Sequence, residues 1–132
     1  MNKFISAAVA TLALAALPAL AEVVVVVNPA NSEAVSKDQV ANVYLGKSTA
    51  LTPVDQADGS AIRGEFYKKV ADKDASQAKA LWSKLVFTGK ATPPKELGSS
   101  ADVKKAIAAN PKAIGYIEKS AVDATVKVVL TP

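Results

Sequence analysis

The chain has 132 residues, a formal net charge of +4 and 50% hydrophobic residues, and it contains neither cysteine nor histidine. Thiolate nucleophiles, imidazole bases, Ser-His triads and the usual zinc ligand sets are therefore absent, so an enzyme is not expected, nor a cofactor or bound metal. The small excess of lysine and arginine is spread along the sequence without a basic stripe or aromatic platforms, which excludes nucleic acid as the expected partner and leaves a mild preference for small anions.

Residues 1–21 read as a signal peptide. Lys3 supplies the positive start, Phe4 to Leu17 the apolar stretch, and Ala19-Leu20-Ala21 the small-residue cleavage pattern. Residues 22–132 are then expected to form a single exported domain. Without cysteine, that domain must be held together by a hydrophobic core rather than by disulfides.

Glu22 to Asn28 carries five consecutive valines, the pattern of a strand buried on both faces in a sheet covered by helices. Asn28 to Ser32 forms a turn-rich loop, and Ser36 with Gln39 makes a capping box for a helix through Leu45, closed by Gly46. A short strand ends near Val54. Helices are expected from Ser60 to Ala71, with Ile62, Phe66, Tyr67 and Val70 on one face, and from Ser76 to Phe87, with Leu81, Trp82, Leu85 and Val86 on one face. Trp82 and the aromatics are read as core. Ala91 to Gly98 is expected to lack regular structure, Ser99 or Ser100 to cap a helix to Ala109, and Ala113 to Ile117 and Thr125 to Leu130 to be strands, the last at an edge. This alternation predicts an α/β fold with a mixed, mostly parallel sheet.

The candidate site lies in Thr52 to Tyr67. An acidic Gly-bearing turn, Asp55 to Gly59, precedes the helix start at Ser60, with Arg63 one turn inside. First-turn amides lack internal partners and sit at the positive end of the helix dipole, so they suit an oxyanion, to which Arg63 adds a forked donor. Asp55 and Asp58 offer the competing arrangement, a solvated ion pair with Arg63. Ligands in open α/β sheets gather beyond the carboxyl ends of strands. If the first two strands are parallel neighbours, Ser32 joins Gly59, Ser60, Ala61 and Arg63 around one volume.

The runs Asn28-Pro29-Ala30-Asn31-Ser32, Ser36-Lys37-Asp38-Gln39-Val40, Val43-Tyr44-Leu45-Gly46-Lys47, Pro53-Val54-Asp55-Gln56, Arg63-Gly64-Glu65-Phe66, Phe87-Thr88-Gly89-Lys90 and Ala113-Ile114-Gly115-Tyr116-Ile117 resemble, in order, the phosphate ABC transporter substrate-binding proteins. That resemblance implies one lobe of a type 2 periplasmic binding protein, a periplasmic location, inorganic phosphate or a similar oxyanion as ligand, and ABC transporter membrane components as partners. The family's Gly-Ser-Gly-Thr appears here as Gly59-Ser60-Ala61-Ile62, and its arginine, which precedes that motif, has its counterpart after it in Arg63. A single lobe grips an anion from one side only, so a homodimer across the same face is a further implied partner. The alternative is a lobe that has lost its ligand and acts as an envelope interaction or self-association module.

Overall fold

The computed structural model describes residues 22–32 and 34–132. The signal-peptide segment lies outside the described residues. The elements are β1 (Val23–Val27), α1 (Lys37–Tyr44), β2 (Thr52–Gln56), α2 (Ala61–Ala71), α3 (Ala75–Phe87), β3 (Lys95–Leu97), α4 (Ser100–Ala109), β4 (Ala113–Glu118) and β5 (Lys127–Leu130), with a short 3₁₀ turn at Lys119–Ala121.

The strands form one five-stranded sheet in the order β3-β2-β4-β1-β5. β2 pairs in parallel with both β3 and β4, while β1 is antiparallel to β4 and to β5. Four strands thus point one way and β1 points the other, a mixed and mostly parallel sheet. The edge position of β5 is as expected. β3 was not expected: Lys95, Glu96 and Leu97 pair with Val54, Asp55 and Gln56 at the other edge, inside the stretch read as irregular.

The valine run does what its pattern demands, for every residue of β1 is buried. Val23, Val25 and Val27 join a core with Val40, Tyr44, Ile62, Phe66, Tyr67 and Tyr116 beneath α1 and α2. Val24 and Val26 join the opposite core with Val54, Ile117 and the Val103 and Ile107 side chains of α4. α4 lies close to the sheet at Gly115, where a Cβ would stand 2.7 Å from Val103 Cγ1 and 3.0 Å from Val54 Cγ2. Only glycine leaves that room.

Trp82 is buried and its Nε1 donates to the Tyr44 carbonyl at 2.7 Å, tying α3 to the end of α1. The last turn of α3 departs from expectation. Val86 is 47% exposed and Phe87 91% exposed, for α3 packs on α2 and is tied to the end of α1 only through Trp82.

Candidate functional site

Reversal of β1 separates the two loops that the sequence placed together. Val27 pairs with Ile114, and Ile114 pairs with Pro53 near the start of β2, so the loop after β1 leaves at the amino end of β2. Asn28 fixes it there, its Nδ2 donating to the carbonyls of Ile107 (2.9 Å) and Ala108 (3.2 Å) at the end of α4. Gln56, at the far end of β2, reaches Ser100 Oγ at the start of α4. The length of α4, about 15 Å for ten residues, lies between these anchors. Ser32 therefore does not meet Ser60 and Arg63, because its strand runs against the others and β4 stands between β1 and β2.

Gly59, Ser60, Ala61 and Arg63 do come together, at the carboxyl end of β2. The turn Ala57 to Ser60 is closed by the Ser60 amide donating to the Ala57 carbonyl at 3.0 Å, and it needs φ +90° at Gly59. Ser60 is the N-cap of α2, yet its hydroxyl makes no capping bond. The amides of Arg63 and Gly64 return to the Ser60 carbonyl. Those of Ala61 and Ile62 have no acceptor among the described residues and stand at the positive end of an 11-residue helix. Gly59 is less free, its amide being drawn to the Asp58 carboxylate.

Arg63 is not the solvated cation that its neighbours suggested. It is 5% exposed, with Nη1 donating to the Gln56 carbonyl at 3.0 Å and lying 3.4 Å from Glu96 Oε1, and with Nε 3.9 Å from Asp55 Oδ1. Nε is buried without a hydrogen-bond acceptor among the described residues. Two carboxylates placed side by side by the β2–β3 register, Asp55 and Glu96, thus flank one guanidinium. Asp58 turns instead to Lys79 at 2.8 Å, while its amide donates to Glu96 Oε1.

Asp55 belongs to β2 rather than to the turn, and it is 2% exposed. Its carboxylate accepts from the hydroxyls of Tyr67 at 2.5 Å and Tyr116, and from the Gln56 amide at 2.9 Å. Burial pushes the Asp55 carboxyl above its usual range, against the pull of Tyr116, Tyr67 and Arg63. The same burial, with the Asp55 charge beside them, raises both tyrosine hydroxyls, so they remain donors throughout the accessible pH range. Burial lowers the Arg63 value, but Asp55, the tyrosines and Glu96 more than compensate and the guanidinium stays charged. Gln56 completes the corner where the β2–β4 ladder has ended: its amide donates to Tyr116 Oη and its Nε2 to the Tyr116 carbonyl at 3.0 Å.

Sequence reasoning missed Glu96, Lys79, Tyr67, Tyr116 and Gln56 as members of this corner. The tyrosines were legible only as core residues, and Glu96 arrives through a strand pairing that a three-residue segment does not announce.

No known family model matches the chain, and no curated protein does. Solved structures do share the fold. An ABC-type phosphate transport receptor from Vibrio cholerae superposes with a TM-score of 0.64 at 19% identity, over 82% of this chain and 45% of the receptor. A putative phosphate ABC transporter substrate-binding protein with bound phosphate from Clostridium perfringens gives 0.65 at 22% identity, over 82% of this chain and 44% of that one. PstS from Borrelia burgdorferi gives 0.61 at 11% identity, over 82% and 46%. The chain therefore has a periplasmic-binding-protein fold and spans less than half the length of these phosphate-transport proteins.

Proposed function

We propose that this chain is an exported, periplasmic oxyanion-binding lobe that takes inorganic phosphate and serves uptake or sensing beside ABC transporter membrane components, without catalysing a reaction. The observation that carries this reading is the open first turn of α2: among the described residues, the Ala61 and Ile62 amides lack acceptors beside a buried arginine whose Nε also lacks one. The fold shared with phosphate-transport proteins supports it. Gly59 shapes the approach, Ser60 brings a hydroxyl free of capping duty, and Arg63 holds positive charge at the base. Ser32 has no part. Glu96, half exposed beside Arg63, accepts the proton of hydrogen phosphate and repels an anion that carries none. Phosphate is thus preferred to sulfate.

Replacing Ala61 by proline isolates the amides from everything else. Proline at the first helical position keeps the helix, and Ser60 already has the extended backbone, φ −66° and ψ 130°, that a following proline requires. The substitution removes one donor without disturbing Arg63. Calorimetric titration at low ionic strength is expected to show phosphate binding that Ala61→Pro weakens roughly tenfold or more, the loss of one hydrogen bond to a charged group. Absence of heat and of any thermal upshift at millimolar phosphate overturns the proposal.

A second reading, a lobe whose own carboxylates have replaced the ligand, is favoured by the positions of Asp55 and Glu96 on either side of Arg63. The same titration separates the two.

A further inference from the structure

The turn that leads into α2 is gripped from two sides. From β3, Glu96 Oε1 accepts the Asp58 amide at 3.3 Å, and from α3, Lys79 Nζ donates to Asp58 Oδ2 at 2.8 Å. The Asp58 carboxylate also draws the Gly59 amide, so its charge stands just before the open donors of Ala61 and Ile62. A carboxylate there repels an incoming anion and competes with it for the same edge of the turn. Among the described residues of this corner, Asp55, Asp58 and Glu96 set three negative charges against the two positive ones of Arg63 and Lys79. Arg63 is engaged between Asp55 and Glu96 and acts on Asp58 only at longer range. Lys79 bonds Asp58 directly, and that bond is the main reason its carboxyl lies below the usual range. Cancelling the Asp58 charge therefore falls to Lys79.

For the fold, such a pair counts for little. The Lys79 side chain is 64% exposed and that of Asp58 49%, and ion pairs this open contribute almost nothing to stability. For an anion at the first turn of α2 the pair matters more, because the field of a lone carboxylate extends about 10 Å at 0.1 M salt and covers the neighbouring amides. We infer that Lys79 is a positioning residue for the anion site: held across from α3, it neutralises the Asp58 carboxylate and so keeps the first turn of α2 open to phosphate. The inference rests on the phosphate reading of that turn and adds to it a lysine that lies outside the turn.

Calorimetric titration of the purified chain with inorganic phosphate at low ionic strength tests it. Lys79→Gln is expected to weaken binding about tenfold, and Lys79→Arg, which keeps the charge, to stay within about twofold of the parent. Adding Asp58→Ser to K79Q is expected to restore the parent's affinity, since serine remains a turn former and carries no charge. The K79Q deficit is also expected to shrink as salt rises toward about 1 M, where screening acts within about 3 Å. A lysine that only braces the turn gives the opposite pattern: the double variant stays as weak as K79Q, and salt leaves the ratio unchanged. Either of those results, or K79Q binding phosphate as tightly as the parent, overturns the inference and leaves the proposed function standing. A parent that binds no phosphate overturns both.

Discussion

Two strands separated by a single neighbour in the sheet are buried by opposite means. β1 places five valines between two apolar layers, whereas β2 ends in Asp55 and Gln56, which are 2% and 4% exposed and as deeply enclosed as the valines. The valines are held by transfer from water and by close packing, and each contributes almost independently of the next. Asp55 is held by a closed set of donors, Tyr67, Tyr116, the Gln56 amide and the Arg63 charge, none of which can leave without exposing the others. The chain thus spreads apolar burial along β1 and places its strongly constrained polar groups at the end of β2, where α2 begins.

The sharpest way to break this contrast is to remove its charged centre. Asp55→Ala leaves two buried hydroxyls without their acceptor and takes one of two flanking carboxylates from a buried guanidinium, and it is expected to cost about 3–5 kcal/mol, a large share of the stability of a domain this size. Val25→Ala, at a fully buried site on β1, is expected to cost about 2 kcal/mol, the lost methyl groups plus a residual cavity. Urea unfolding midpoints of the two variants, measured against the parent, give the order directly. A Val25 cost equal to or above that of Asp55 removes the distinction between the strands.

The pH dependence separates the same regions more gently. Burial raises the Asp55 carboxyl, so its folded value exceeds its unfolded one; its contribution to stability is complete below the unfolded value and is lost as pH rises through the folded value. Exposed Asp58 and Asp123 behave in the opposite sense. Their bonds to Lys79 and Lys104 lower them, so what they contribute is present above the unfolded value and lost as pH falls through the folded one. Relative to Asp55→Asn, the parent is therefore expected to gain stability on acidification from neutral toward about pH 4. Paired unfolding curves across that range check it, and a difference that is flat or of opposite sign removes the desolvated carboxyl from the account.

Much of this molecule is written locally. The valine run, the Ser36–Gln39 capping box, the helix start at Ser60 and the edge position of β5 all follow from short-range pattern, and all are present. What was not legible is long-range. The direction of β1 depends on its pairing with β4, some ninety residues later, and nothing in a stretch of valines distinguishes parallel from antiparallel neighbours. That one reversal carries Ser32 away from the site. Arg63 looked solvated because Asp55 and Asp58 stand close to it in sequence, yet Asp55 faces inward on β2, and Glu96 reaches the guanidinium only because β3 pairs beside it. Val86 fits the apolar period of α3, whose end falls at Phe87, but the last turn of the helix is left uncovered.

The smallest expected effect bears most directly on the start of α2. Ser36, Asp74 and Ser99 each accept a hydrogen bond from an amide in the first turn of their helices, at 3.2, 2.8 and 3.3 Å, whereas Ser60 accepts none. Replacing Ser36 by alanine is expected to cost about 1 kcal/mol, the ordinary loss of a cap. Ser60→Ala is expected to stay within about 0.5 kcal/mol of the parent, since no bond is lost and the extended backbone at that position suits alanine. If Ser60→Ala costs as much as Ser36→Ala, the hydroxyl closes the helix in solution and the α2 amides are not free for a ligand. If the two differ as expected, the same Ser60 variant, titrated with phosphate, shows whether the hydroxyl spared from capping is used on the anion.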